Sequence, residues 1–143
     1  PYTYTPLPTP RSIRLLRIHP RRSRTLHCTL ETHTLGDPRT PAYDALSYHW
    51  GSSTRTHTIL LHSPSSSPRG AQPPPLPTPT RLPVPANCFK ALADRASVRE
   101  PRVVWIDFLC IAQRDAREKA VQLPLMRAIY SAARRTVAWV GDA

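Results

Sequence analysis

The chain has 143 residues, which is enough for one domain with a single hydrophobic core. Its 18 prolines belong in loops rather than in packed elements, because each one fixes φ and removes a backbone donor. The formal charge is +11, but only two of the basic residues are lysines, and the arginines are scattered along the whole chain. This scatter favours a compositional bias over a phosphate-binding surface, so nucleic acid is the least favoured partner.

The three cysteines lie far apart and form no C-x-x-C pair, so the sequence indicates neither a disulfide framework nor a zinc site. No apolar run approaches the roughly 18 to 20 residues that span a bilayer, and residues 1–11 lack the apolar core of a signal peptide. We therefore expect reduced thiols and a cytoplasmic location. The chain begins with Pro rather than Met, which indicates a fragment or a processed product.

The first half of the chain is predicted to consist of strands. The strand candidates combine β-branched, aromatic or aliphatic residues with turn residues at their ends: residues 13–18, 25–31, 43–51 and 58–62. Residues 1–12 are rich in Thr and Pro and are predicted to be an extended segment. Residues 63–85 are dominated by Pro, Ser and Thr, and we expect a solvated, partly polyproline-like loop that contributes no core element.

The second half alternates helices with apolar strands, in the order helix, strand, helix, strand: residues 87–97, 103–107, 116–134 and 136–140. Asn87 is placed to cap the first helix, and Pro124 should kink or break the second near residue 123. Both strands are continuous apolar runs, as expected for strands that are buried on both faces. This order is typical of an α/β fold with a mostly parallel sheet and helices on both faces.

Three sequence blocks follow one another in the last hundred residues. The first is YDALSYHWG at residues 43–51, and the second is WIDFLCIAQ at residues 105–113. The third begins at Asp115 and continues through the second helix to AWVG at residues 138–141. With this order and spacing, and with Trp and Cys among the matched residues, the chain resembles the fungal heterokaryon-incompatibility (HET) domain family.

The resemblance implies an effector or signalling module of fungal vegetative incompatibility, a response that kills cells after genetically different hyphae fuse. It implies protein partners or self-association and no resident cofactor. The family is distantly similar to TIR domains, which implies a TIR-like or flavodoxin-like sheet. As an alternative function it implies hydrolysis of NAD or another nucleotide, although the chain has neither a G-x-G-x-x-G nor a GxxxxGK[ST] loop.

The chain departs from the family pattern at three positions. Ala112 stands where the family has Asn, Lys119 stands where it has Arg, and Pro124 is additional. These departures bear on whether this copy is active. We expect residues 13–143 to form one domain that is incomplete at its C-terminal end.

A polar cluster is predicted at the carboxyl end of strand 103–107, where ligands bind in open α/β sheets. Its members are the polar and thiol residues that follow the strand: Asp107, Cys110, Gln113, Asp115 and Glu118. Glu118 is the candidate catalytic residue, as a base or a ribose-binding carboxylate. Asp115 and Glu118 also have the spacing of a capping box, and we favour capping for Asp115. Cys110 has no His nearby in the sequence and is interpreted as a core residue.

The first block supplies the other candidate site residues, Tyr43, Ser47, Tyr48, Trp50 and Gly51. Tyr48, Trp50 and Gly51 come at the end of the predicted strand and can line the same crevice, whereas Tyr43 and Ser47 are candidates as members of the block. Tyr and Trp also bury large areas, and we favour core packing for the aromatic members. No set of metal ligands is predicted, and NAD enters only with the hydrolase alternative.

Overall fold

The computed structural model describes residues 2–49, 51, 54–63 and 78–140. Seven strands and three helices form in this part of the chain. The strands are β1 (Ser12–Ile18), β2 (His27–Thr34), β3 (Asp44–Tyr48), β4 (His57–His62), β5 (Thr80–Val84), β6 (Arg102–Ile106) and β7 (Arg135–Trp139). The helices are α1 (Ala86–Arg95), α2 (Asp107–Cys110) and α3 (Ala116–Ala132). None of the helices in the described ranges is long and apolar enough to cross a membrane.

The strands form one mixed sheet in the order β5-β4-β2-β1-β6-β3-β7. The pairs β1–β2, β1–β6 and β4–β5 are antiparallel, and the pairs β2–β4, β3–β6 and β3–β7 are parallel. The antiparallel pairs contain more paired residues, so the prediction of a mostly parallel sheet is wrong. One reason lies in the connection between β1 and β2, which is too short for the crossover of a dozen or more residues that parallel pairing requires. The α/β class itself is confirmed.

Strand β1 occupies the middle of this sheet, between β2 and β6. Its aliphatic residues Ile13, Leu15, Leu16 and Ile18 are all fully buried. Neighbouring strands cover both edges of β1, and all its residues except Arg17 are buried. The apolar sequence of β1 therefore fits its place in the sheet.

Helices α1 and α3 cover opposite faces of β3. Successive side chains of a strand point to opposite faces of its sheet. Ser47 contacts Tyr130 of α3, whereas its neighbour Tyr48 contacts Cys88 of α1. The predicted coverage of both faces by helices is confirmed for this strand.

Helix α3 continues through Pro124, so of the two predicted outcomes, a kink or a break near residue 123, the break does not occur. Its buried residues are Gln122 and Ile129, and Pro124 lies on the exposed side. A proline in a helix removes one backbone donor, but the carbonyl that loses its partner can bind water where the helix is exposed. The exposed position therefore explains why the helix tolerates this residue.

The start of α1 differs from the prediction. Its N-cap residue is Pro85, and no side chain caps the helix. Asn87 lies inside the helix, and its Nδ2 atom donates a hydrogen bond to the backbone oxygen of His49 at 2.9 Å. The side chain that was expected to cap α1 instead connects this helix to the segment after β3.

The proline-rich stretch contributes a strand that the sequence analysis did not predict. Residues 80–84 form β5, which pairs antiparallel with β4 and buries Val84 completely. Pro83 is accepted because β5 lies at the edge of the sheet, where a missing N–H need not break a ladder. The expectation that no part of residues 63–85 enters the core is therefore wrong for β5, and residues 64–77 lie outside the described residues.

Strand β7 lies at the opposite edge, beside β3. It was predicted to be buried on both faces, but its residues are exposed or half-buried. The apolar run TVAWV suggested a central strand, whereas β3 separates β7 from β6. Since only one side of β7 is paired, its burial is lower than its composition indicated.

Candidate functional site

The carboxyl ends of β3 and β6 lie side by side. Leu46 of β3 is paired with Ile106 of β6 in parallel register. The residues that follow them, Ser47 and Asp107, therefore lie at the same end of the two strands. Asp107 also begins α2, a short helix that the sequence analysis did not predict. The register brings the first and second sequence blocks together at strand ends, which is where open α/β sheets bind ligands.

Five side chains surround these strand ends, with Ser47 and Tyr130 on one face of the sheet, Tyr48 and Cys88 on the other, and Asp107 near both pairs. We call them the signature cluster: Ser47, Tyr48, Cys88, Asp107 and Tyr130. Tyr48 lies beside the Cys88 thiol, and Ser47 lies beside the Tyr130 hydroxyl. Asp107 is close enough to Tyr48, Cys88 and Tyr130 to influence their ionisation. Tyr130 belongs to the third block, so the cluster joins residues from all three blocks.

The environment of the signature cluster keeps its hydroxyl and thiol groups protonated. Burial raises the pKa of Tyr48, and the nearby Cys88 and Asp107 raise it further. Burial also raises the pKa of the Cys88 thiol to about 12. Burial and the nearby Asp107 raise the pKa of Tyr130, although the adjacent Ser47 hydroxyl lowers it in part. The cluster therefore offers neutral hydrogen-bonding groups around one carboxyl group and has no activated thiolate.

Cys110 is a core residue, as interpreted from the sequence. It is fully buried, and its Sγ atom accepts a hydrogen bond from the backbone N–H of Ile106 at 3.5 Å. Burial raises the pKa of its thiol to about 12. A thiol in this state is a poor nucleophile near neutral pH.

Gln113 and Asp115 hold the connection between α2 and α3. The Nε2 atom of Gln113 donates to the backbone oxygens of Asp107 at 2.8 Å and Ile111 at 3.3 Å. Asp115 is the N-cap of α3, and its Oδ1 atom accepts from the backbone N–H of Glu118 at 3.1 Å. The predicted capping role of Asp115 is confirmed.

Glu118 forms a buried ion pair with Arg14 of β1. Both guanidinium nitrogens Nη1 and Nη2 donate to the carboxylate, and the two side chains are only 3% and 8% exposed. Oε2 of Glu118 also accepts from the backbone N–H of Ala112. Arg14 makes further bonds to the carbonyls of Thr5 and Cys110. This network places Glu118, the candidate catalytic residue, in a structural connection between α3 and β1.

Tyr43 and Gly51, from the ends of the first block, have structural surroundings, whereas Trp50 lies outside the described residues. The Tyr43 hydroxyl is buried and donates to the backbone oxygen of Ile129 at 2.5 Å, and burial raises its pKa to about 12. Gly51 has a φ of 60°, and a Cβ atom there would lie 2.8 Å from Nδ2 of Asn87. Both residues thus fix β3 and its following segment against helices.

Asp44 is a buried polar residue that the sequence analysis did not single out. It is 2% exposed and accepts from Arg95 at 2.9 Å and Arg134 at 3.2 Å, with Arg135 at 3.7 Å. Burial opposes its ionisation, but Arg134 and Arg95 outweigh it and hold its pKa below the usual range. The available signal was its position in the first block, where a charged residue adjoins an apolar run.

The predicted polar cluster is therefore divided among separate places. Asp107 belongs to the signature cluster, Cys110 to the core and Glu118 to the Arg14 ion pair. Gln113 and Asp115 line a cavity of about 510 Å³ that these three residues do not line. In the described residues, no group of three or more His, Cys, Asp or Glu side chains is arranged to hold a metal ion.

Comparison with known proteins gives one match to a family and one to a relative. The family model described as "Heterokaryon incompatibility protein (HET)" matches residues 43–143. The chain is also similar to "Heterokaryon incompatibility protein 6, OR allele" of Neurospora crassa, with 41% identity over 136 residues, or 92% of this chain. That alignment spans 19% of the relative's length. No solved structure matches the chain, so its likeness to TIR domains stays a prediction.

Proposed function

Because the chain belongs to the heterokaryon incompatibility (HET) family, we propose that it acts as a signalling module of fungal vegetative incompatibility. In this proposal the module contributes to the death of cells that arise when genetically different hyphae fuse. It acts in the cytoplasm through protein partners or self-association. The chain spans about a fifth of the relative's length.

The signature cluster is the observation that supports this proposal. It joins Ser47 and Tyr48 of the first block, Asp107 of the second and Tyr130 of the third. These residues come from three separate parts of the sequence, and they surround the carboxyl ends of β3 and β6, where open α/β sheets bind ligands. A shared site of this kind explains why the three blocks occur together.

The alternative is a nucleotide hydrolase with Glu118 as its base. Both carboxylate oxygens of Glu118 accept hydrogen bonds from Arg14, and Oε2 also accepts from Ala112. A general base must reach the proton that it removes, and this carboxylate is occupied within the protein. We therefore propose the signalling role in preference to the hydrolase.

The proposal can be tested by expressing the chain in a fungus from an inducible promoter and counting viable cells. Asp107→Asn keeps the volume of the side chain but removes its negative charge from the signature cluster. We expect this variant to restore viability at equal protein levels. A wild-type chain that kills cells, together with a harmless Asp107→Asn variant, would support the signature cluster as the signalling site.

Asp94→Asn is the matched control, because Asp94 lies on the exposed side of α1 and the substitution removes the same charge. We expect this control to kill as the wild type does. Equal killing by all three chains would contradict the role of the signature cluster. Measurement of cellular NAD in the same cultures separates the two functions, since a hydrolase would deplete NAD before viability falls.

A further inference from the structure

The cavity lined by Gln113 and Asp115 lies where several distant segments meet, and we call it the arginine cavity. Its walls come from the N-terminal segment, the chain before β4, strand β5, helix α2 and the α2–α3 connection. Its volume of about 510 Å³ falls within the roughly 300 to 1,000 Å³ that is typical of small-molecule sites. The signature cluster contributes none of its lining residues.

The arginine cavity has an excess of positive charge. Arg55, Arg81 and Arg114 line it, and in the described part of the chain none of the three forms an ion pair. Among the described lining residues, Asp115 alone carries a carboxylate, and it already accepts a hydrogen bond from the backbone N–H of Glu118. Guanidinium groups bind phosphate oxygens through paired N–H donors, so these arginines favour a phosphorylated ligand.

Aromatic side chains occupy another part of the lining. The guanidinium carbon of Arg55 lies 5.3 Å from the ring centroid of Phe108. The Tyr4 hydroxyl donates to the backbone oxygen of Leu109 at 2.9 Å, and the guanidinium carbon of Arg14 lies 4.7 Å from its ring. These contacts hold the rings in place before a ligand arrives. Fixed aromatic rings favour a ligand with a flat ring that can stack on them or contact their edges.

We propose that the arginine cavity binds a small ligand that combines a phosphate group with a flat ring, the chemical class of the nucleotides. The arginines contact the phosphate, and Phe108, Tyr2 or Tyr4 contact the ring. This is a binding site and needs no catalytic step. It is independent of the proposed signalling function, because the signature cluster lies outside it.

Titration calorimetry of the full chain tests this proposal, with adenosine diphosphate as the probe. Inorganic diphosphate has its phosphate groups without the ring, and adenosine has its ring without the phosphate groups. We expect adenosine diphosphate to bind more tightly than either half. A loss of one charge-assisted contact corresponds to about 1.5 kcal/mol or more, so Arg81→Ala and Arg114→Ala should each weaken binding by about tenfold or more.

Arg99→Ala is the matched control, because it removes one charge from an exposed turn outside the cavity. Its affinity should equal that of the wild type. Arg114 lies in an exposed connection, so its variant remains informative if the Arg81 variant, on β5, fails to fold. An equal loss in Arg99→Ala, equal binding of inorganic and adenosine diphosphate, or no binding of adenosine diphosphate would each overturn the proposal.

Discussion

The family-matched residues 43–143 carry recognisable motifs and the preceding residues 2–42 do not, yet both regions contribute to the same sheet. All three sequence blocks fall in the matched region. The preceding region lies outside the family model, yet it supplies β1, the middle strand of the sheet. The similarity to the Neurospora crassa relative covers 92% of the chain and therefore extends into this region as well.

The two regions are connected through backbone pairing and through side chains. Strand β1 pairs with β6, which carries the start of the second block. Arg14 of β1 binds Glu118 of α3, and Gln122 of α3 donates to the backbone oxygen of Ser12 at 2.8 Å. The boundary of a sequence match therefore differs from the boundary of the folded unit, since motif residues depend on strands that carry no motif.

The largest loss of folding stability is expected from Glu118→Gln, which removes the negative charge of the ion pair between the two regions. The amide leaves the buried Arg14 charge without a counter-charge. Breaking a buried pair by changing one partner destabilises a protein by about 3 to 5 kcal/mol. Urea unfolding should show this loss as a lower midpoint with an unchanged slope.

Glu31→Gln is the matched control for this comparison. Glu31 pairs with Arg17 on the same strand β1, but their side chains are 24% and 33% exposed. Partly exposed pairs contribute about 0 to 1 kcal/mol, so this variant should unfold nearly as the wild type does. Equal losses of stability in the two variants would refute the view that the buried Arg14–Glu118 pair stabilises the fold more than an exposed pair does.

A smaller loss of stability is expected from Gly51→Ala, which changes contacts within the matched region only. The left-handed φ of 60° costs a non-glycine residue about 1 to 2 kcal/mol. The added Cβ atom would also lie 2.8 Å from the amide of Asn87. Gly36→Ala isolates the backbone contribution, because Gly36 has a φ of 89° but open space around it. Thermal unfolding should rank Gly51→Ala as the less stable variant, and the reverse order would contradict the close approach to α1.

The smallest effect is a dependence on pH that comes from histidines near β1, β2 and β4. Burial and neighbouring imidazoles lower the pKa of His19 and of His62. The folded state therefore binds fewer protons than the unfolded state near the ordinary histidine pKa of about 6.5. This contribution to stability is complete above that pH and is lost as the pH falls below it.

Urea midpoints at about pH 7.5 and pH 5.5 bracket this range. We expect a lower midpoint at the acidic pH and a weaker dependence in His62→Gln. His49→Gln changes an exposed histidine and should keep the wild-type dependence. A midpoint that rises on acidification would show that protonation of these histidines stabilises the fold.

The positions of strands with mostly apolar sequences were predictable, but the neighbours of these strands in the sheet were not. Residues 13–18 and 103–107 correspond closely to β1 and β6, because local hydrophobicity alone marks a buried strand. Whether a strand lies at the centre or the edge depends on long-range pairing. TVAWV looks as apolar as β6, yet β7 lies at the edge because β3 inserts between them.

The role of a site residue was predictable where its spacing in the sequence determines which group it contacts. The cap at Asp115 follows from its spacing to Glu118. The role of Glu118 depends on Arg14, a residue 104 positions away, and no local pattern indicates that contact. An arginine inside an otherwise apolar strand was the available signal, since a buried charge requires a partner.

Amide hydrogen exchange of the intact chain tests the central claim most directly, namely that the preceding residues belong to the folded core of the matched region. We predict that the amides of Leu15 and Leu16 in β1 exchange as slowly as those of Val104 and Trp105 in β6, because both strands open only when the whole domain unfolds. Fast exchange in β1 with slow exchange in β6 would contradict this claim. It would mean that the family-matched region holds its structure without the strand before it.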